Sequence, residues 1–272
     1  MKTAILLNHN MSRPIPFSER MDILSKDKRS NIILAIDPNY DTNDLFSYVL
    51  NTITRLGKYL CAIKLNFHVI LPLSFTGLQK INLVAHREGL QVIADIKLND
   101  IPNTNDVTIR YLHAMGFDSI IVNPFIGKDN LKSTVSSAHS LNCGVISLVY
   151  MSHSGANEGF GSSVLSHQSL DGLADTTSRF YNVFYENSKN CDVDGVIIGG
   201  NRLDVLRELS SKNLKKIPIY SPGLVTQGGD IKSALECGSD YLIIGRAIIN
   251  SPDPLIELQN IHKLVSHRFD KK

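Results

Sequence analysis

Short runs of apolar, largely β-branched residues punctuate the chain at IILAID (32–37), CAIKLN (61–66), QVIADIK (91–97), SIIVNP (119–124), GVISLVY (144–150), DGVIIG (194–199), IPIYS (217–221) and DYLIIG (240–245). Runs of this kind read as strands buried on both faces. Between most of them lie stretches with helical spacing of apolar positions, among them DLFSYVLNTITRLGKYL, LQKINLVAHREG and DPLIELQNIHKLVSHRF. Strand starts recur every 23 to 30 residues, apart from a gap of 50 between the fifth and sixth. Eight strand-helix units predict an α/β chain folded as a (β/α)8 barrel, with parallel strands inside a ring of helices. The rival is a doubly wound open sheet. That fold would place a glycine fingerprint after the first strand, where Asp37-Pro38-Asn39 stands instead.

Two parts lie outside the repeat. Residues 31–272 are expected to form one barrel domain, and residues 1–30 an N-terminal extension. Within the extension, FSERMDILSKDKRS predicts a short amphipathic helix, capped by Ser18, that closes the bottom of the barrel. The Gly- and Ser-rich stretch from Ser152 to Ser163 predicts a mobile loop above the fifth strand.

Composition narrows the functional classes. A chain of 272 residues with 43% hydrophobic content is not disordered, and its formal net charge of +2 predicts neither a nucleic-acid footprint nor a polybasic membrane anchor. Cys61, Cys143, Cys191 and Cys237 form no C-x-x-C pair, so neither a zinc knuckle nor a disulfide framework is indicated. The start MKTAILLNHNMSRP does not read as a secretory signal, and no apolar stretch reaches the roughly 18 residues a membrane helix needs. A cytoplasmic protein is expected.

Reactive groups in such barrels gather at the C-terminal ends of the strands, and here those ends are polar. The first ends in Asp37; the second carries Lys64 inside an apolar run; the third ends in Asp95 and Lys97, followed by Asp100. The fifth leads to Ser152, the seventh to SPGLVTQGGD, and the eighth to Gly245-Arg246. Period-two alternation puts Asp95 and Lys97 on one face. Charged groups turned into a barrel need partners, so these two pair with each other and with Lys64 on the neighbouring strand. Gly228-Gly229-Asp230 opens a predicted helix with free N–H groups, and Arg246 adds a fork of donors, which together suggest a phosphate site. The residues alone therefore indicate an enzyme acting on a phosphorylated metabolite, with Lys97 as an acid or a Schiff-base former. His68, His86, His113, His139 and His262 fall in helical stretches and read as surface or packing residues. No G-x-S-x-G elbow accompanies Ser152-His153, so a hydrolase is not indicated.

The stretch from Asp95 to Thr104, DIKLNDIPNT, resembles the D-x-K-x-x-D-I-P-x-T signature of the orotidine 5′-monophosphate decarboxylase family, in the form of its archaeal members. Similar in kind and order are LAID with Asp37, IKLN with Lys64, MSHSG with Ser152, SPG…QGGD with Pro222 and Gln227, and IGRAI with Arg246. The chain departs from the family at Ser154, commonly Pro, and in the long segment after Ser152. What the resemblance implies is decarboxylation of orotidine 5′-monophosphate to uridine 5′-monophosphate, the last step of pyrimidine synthesis, without metal or organic cofactor. It implies Lys97 as proton donor to C6, Asp95 against the departing carboxylate, and Lys64 holding Asp95 and a ribose hydroxyl. Asp37 would bind ribose and Ser152 the pyrimidine amide, while Pro222, Gln227, Gly228, Gly229, Gly245 and Arg246 would surround the phosphate. Asp100 and Thr104 would reach the neighbouring subunit's site, which implies a homodimer. Alternatives are the magnesium-dependent keto-sugar-phosphate decarboxylases and hexulose-phosphate synthases, which commonly follow the second Asp with Ala-Gly rather than Ile101-Pro102, and a non-catalytic nucleotide-binding barrel.

Overall fold

A computed structural model describes residues 14–166, 176–213 and 216–270. Residues 1–13 of the N-terminal segment lie outside the described residues. Eight parallel strands close into a ring: β1 (Ile32–Ile36), β2 (Ala62–Asn66), β3 (Gln91–Leu98), β4 (Ser119–Val122), β5 (Gly144–Tyr150), β8 (Gly195–Ile198), β9 (Ile219–Ser221) and β10 (Tyr241–Ile244). Pairing of β1 with β10, Leu34 opposite Ile244, completes the barrel and removes the open-sheet alternative. Between β5 and β8 sits an antiparallel hairpin of β6 (Ser163–Ser166) and β7 (Thr176–Arg179). This insertion accounts for the long interval between the fifth and sixth barrel strands.

The strands are apolar throughout because helices cover the ring outside and side chains fill it inside. All five residues of β1 and all seven of β5 are buried. The covering helices include α2 (Leu45–Leu56), α3 (Phe67–Ile70), α4 (Phe75–Arg87), α5 (Pro102–Ala114), α6 (Lys128–Ser140), α8 (Phe180–Asn190), α9 (Leu203–Ser211), α10 (Ile231–Glu236), α11 (Arg246–Ile249) and α12 (Pro254–Ser266). Several begin where their sequence dictates. The carboxylate of Asp44 accepts from Ser47 N, and that of Asp253 from Leu255 N and Ile256 N, so each satisfies first-turn donors that lack an intrahelical acceptor.

At the N-terminal rim of the ring lies α1 (Phe17–Lys28). It buries Phe17, Met21 and Leu24, spaced four and three apart. Phe17 occupies the space above Gly144 so closely that a Cβ there would stand 2.4 Å from its ring. Arg20 donates to Gln91 Oε1 at 2.7 Å and to Asn142 O at 3.2 Å, tying the helix to the starts of β3 and β5. Ser18 is not the cap. Pro16 holds the N-cap position without a side-chain hydrogen bond, two residues before Ser18, so Ser18 already lies inside the first turn.

One device recurs along this rim. Asp118, Asp194 and Asp240 directly precede β4, β8 and β10, and each carboxylate accepts the N–H of a residue in the preceding barrel strand: Val92 at 2.8 Å, Val145 at 2.9 Å and Ile219 at 2.8 Å. The edges between strands are thereby pinned at the end remote from the polar strand ends.

The stretch 152–163 is more than a loop. It contains α7 (Ala156–Gly159), and Phe160 packs edge-on against Phe125 and Phe184 at centroid distances of 5.9 and 6.0 Å. Phe180 stacks on Phe184 at 5.6 Å, so aromatic rings fasten the insertion to α8 and to the end of β4.

Candidate active site

Three adjacent strands build a line of alternating charge at the C-terminal rim. Lys64 on β2 donates to Asp95 Oδ2 at 2.7 Å, and Lys97 donates to Asp95 Oδ1 at 2.8 Å. Lys64 also donates to Asn66 Oδ1 at 3.1 Å, and Asn66 Nδ2 donates to Asp37 Oδ1 at 2.9 Å. Because a lysine only donates and a carboxylate only accepts, one orientation of the Asn66 amide serves both. The result is a continuous chain: Asp37, Asn66, Lys64, Asp95, Lys97.

Burial sets the electrostatics of this line. By itself, burial raises the Asp95 carboxyl, but the charges of Lys64 and Lys97 and the hydrogen bonds from both outweigh it and hold the group below the ordinary carboxylate range. The Lys64 side chain is 6% exposed and that of Lys97 39%, so the first ammonium is locked and the second faces the open mouth. Asp95 is thus a fixed negative centre with a fixed cation on one side and an accessible one on the other.

The backbone at Lys97 is unusual. Its φ is 47°, in the left-handed region that a non-glycine residue adopts at a cost of roughly 1–2 kcal/mol. The register of β3 against β4 shifts between Ala94 and Leu98 at the same place. Asp95 and Lys97 therefore meet across a bulge rather than along an uninterrupted strand. Bulges re-aim side chains beside functional sites, and this one turns the lysine toward Asp95.

Opposite this line, Ser152 follows β5, Asn201 follows β8, and the loop 222–230 follows β9. Ser152, His153, Ser154, Asn201, Arg202 and Gln227 line a cleft of about 380 Å³. Gly223, at φ 82°, lies so near Ser152 that a Cβ would stand 2.4 Å from the serine Cβ, and 2.9 Å from Gln227 Oε1. Arg202 donates to the Tyr150 hydroxyl at 2.7 Å with its guanidinium 4.6 Å from that ring's centroid. At the closing seam, Gly245 leaves room for Asp37: a Cβ would stand 3.3 Å from Asp37 Oδ2. Arg246 beyond it is exposed, and its side chain forms no hydrogen bond or ion pair among the described residues.

The start of α10 corrects the sequence expectation. One of its first-turn N–H groups is taken, because Asp230 Oδ2 accepts from Ser233 N at 2.8 Å, and from Ser233 Oγ at 2.7 Å. The helix end carries its own carboxylate where an anion was expected, and Asp-x-x-Ser is itself a capping pattern. Gly228 N donates to Val225 O and Gly229 N to Gly223 O, so these glycines shape the loop from within. A Cβ at Gly229 would stand 2.7 Å from Gly223 O. Pro222 O accepts from Gly200 N at 2.7 Å, which joins the loop to the end of β8.

Asp100 and Thr104 do not join the charged line. Asp100 Oδ1 accepts from Ile101 N at 2.7 Å at the start of α5, and Thr104 is exposed on the first turn. Sequence reading missed Asn66 and Asn201. The first carried a signal, since it stands two residues after Lys64 on the same strand face. For Asn201 the only mark was its place directly after Gly199-Gly200 at a strand end.

Closed barrel and charged rim together define a (β/α)8 barrel that carries paired ammonium and carboxylate groups at the end of the strands where such barrels place their active sites. A profile of the orotidine 5′-phosphate decarboxylase / HUMPS family matches residues 30–261. The orotidine 5′-phosphate decarboxylase of Pyrococcus abyssi is 34% identical over 223 residues, covering 82% of this chain and 93% of that protein. The crystal structure of the Methanocaldococcus jannaschii orotidine 5′-monophosphate decarboxylase complexed with inhibitor BMP superposes with a TM-score of 0.70 at 27% identity, over 86% of this chain and 97% of that one. That of the Pyrococcus horikoshii enzyme gives 0.67 at 30% identity, over 86% and 98%. The chain belongs to the orotidine 5′-phosphate decarboxylase family and is an enzyme of the carboxy-lyase class. Among the described residues, no helix is long and apolar enough to cross a membrane.

Proposed function

We propose that the protein decarboxylates orotidine 5′-monophosphate to uridine 5′-monophosphate and CO2 in the cytoplasm, with its own side chains and no metal or organic cofactor. The observation that carries this reading is the Lys64–Asp95–Lys97 triplet, with Asp95 bonded at 2.7 and 2.8 Å. Breaking the C6–carboxylate bond leaves the electron pair on C6, in an orbital the ring does not delocalise. A positioned ammonium stabilises that charge, and Lys97 then transfers its proton to C6. Asp95 lies against the departing carboxylate and holds Lys97 on the reacting carbon; its rigidity comes from Lys64. Each oxygen of Asp95 accepts from an ammonium group, and positive charge on both sides opposes a divalent cation there, which favours this chemistry over the magnesium-dependent relatives.

Enzymes lower barriers by about 8–23 kcal/mol, and an undelocalised carbanion requires the upper part of that range. One lysine does not supply it. Preorganised charge and binding energy from remote parts of the substrate act together. Asp37, fixed by Asn66, and Lys64 take the ribose hydroxyls; Ser152 takes the pyrimidine amide; Gln227, Arg246 and the backbone at Gly245 take the phosphate. Asp100 and Thr104 complete the site of a second subunit. Support for the homodimer comes from exposed apolar residues on the segments after β2 and β3: Phe67 at 57%, Leu71 at 72%, Ile101 at 61% and Tyr111 at 60%.

The test is loss of orotidylate absorbance with and without EDTA. Turnover in EDTA that is absent from Lys97→Ala supports the reading, and mixing inactive Lys97→Ala with Asp100→Asn restores some activity if sites span two chains. A magnesium requirement, or tight uridylate binding without turnover, would remove it.

A further inference from the structure

The loop 222–230 is a self-contained turn. Val225 N donates to Gly229 O at 2.7 Å, Thr226 N to Leu224 O at 2.8 Å, and Gly229 N to Gly223 O at 3.2 Å. Residues 225–228 at its tip are exposed, so the barrel does not pack around them. A preformed turn of this kind needs an attachment before Gln227 can face a ligand with fixed geometry. Asn201 supplies one. Its Nδ2 donates to Ser152 O at 2.8 Å and to Gln227 O at 3.2 Å, joining the end of β5 to the loop tip from the end of β8. Its Oδ1 is buried and accepts no hydrogen bond among the described residues, so the amide is used here only as a donor. The neighbouring backbone is equally tight: a Cβ at Gly199 would stand 2.9 Å from Ser152 Cα, and one at Gly229 would stand 3.1 Å from Asn201 N.

We propose that Asn201 is a positioning residue that seats the 222–230 loop against the end of β5, so that Gln227 meets the substrate's phosphate in a fixed orientation. This rests on the reading that Gln227 and Arg246 face a phosphate. Asn201 itself touches neither the reacting carbon nor the proton that Lys97 delivers. Its contribution is selective for the phosphorylated ligand, which a residue holding the barrel together would not be.

The experiment compares uridine 5′-monophosphate with uridine by titration calorimetry on wild-type protein, Asn201→Ala and Asn201→Asp. Alanine removes both donors without adding charge; aspartate also turns an anion toward two carbonyl oxygens. Two neutral hydrogen bonds correspond to about a 10- to 30-fold loss. Asn201→Ala should lose that factor for the monophosphate and less than about twofold for uridine, with KM for orotidylate rising in step, and Asn201→Asp should lose more. If Asn201→Asp does not fold, Asn201→Ala alone decides. Equal weakening of both ligands in Asn201→Ala, or an undiminished preference for the monophosphate, overturns the role of Asn201 and leaves the phosphate site intact. Wild-type protein that binds the two ligands equally removes the phosphate site and this inference with it.

Discussion

Replacing Asp95 with asparagine keeps the shape of the side chain and removes the one charge that two lysines share. Lys97, with its side chain 39% exposed, can hydrate when its partner is neutralised. Lys64, 6% exposed, cannot; it keeps only neutral acceptors, Asn66 Oδ1 at 3.1 Å and the new amide. Removing one member of a buried pair costs about 3–5 kcal/mol, and here the loss concentrates on Lys64. The sign of the pH dependence follows. In the wild type the depressed Asp95 carboxyl contributes stability that is present above its unfolded value near 4 and is lost as pH falls through the lower folded value. Asp95→Asn lacks that carboxyl, so its deficit against the wild type is full above about pH 4 and shrinks as pH falls below it. Urea unfolding followed by circular dichroism, suited to a chain with no Trp, should give a deficit of about 3–5 kcal/mol at pH 7 that shrinks as pH falls below about 4. A deficit below about 1 kcal/mol, or one that does not change with pH, would refute the description of Lys64 and Asp95 as a locked pair.

Two further outcomes follow from single residues. Lys97 sits at φ 47°, so Lys97→Gly should unfold about 1 kcal/mol later than Lys97→Ala, with both inactive; equal stabilities in urea would mean that the left-handed turn relaxes once the lysine is gone. The hydrogen bond to Asp194 raises His139 above the ordinary imidazole value, so its contribution is present below about pH 6.5 and fades as pH rises through the folded value. Its side chain is 42% exposed, which limits the effect to about 1 kcal/mol after screening, and His139→Gln should flatten that part of the stability profile between pH 5.5 and 8; an unchanged slope counts against the pair.

The chain's own pattern was sufficient for the eight strands, the covering helices and the barrel, because strand burial and helical spacing are written in neighbouring residues. Strand alternation pointed to the pairing of Asp95 with Lys97, although the two meet across a left-handed bulge, and the candidate role of Lys64 one strand away was legible from its place inside an apolar run. Asn201 was not legible: its partners Ser152 and Gln227 lie 49 and 26 residues off, and only closure of the ring brings those strand ends together. Arg20, bonded to Gln91 across 71 residues, is another such case. The left-handed turn at Lys97 belongs to the bulge between β3 and β4, which depends on the register of two strands rather than on the lysine's neighbours. At Asp230, a local capping pattern competed with an expected anion site, and the cap prevailed because its donor is three residues away and always within reach. Sequence alone thus determined the elements and the chemical groups they carry. Tertiary structure decided which of those groups meet, since a hydrogen bond between distant strands forms only after the whole barrel has brought its ends into place.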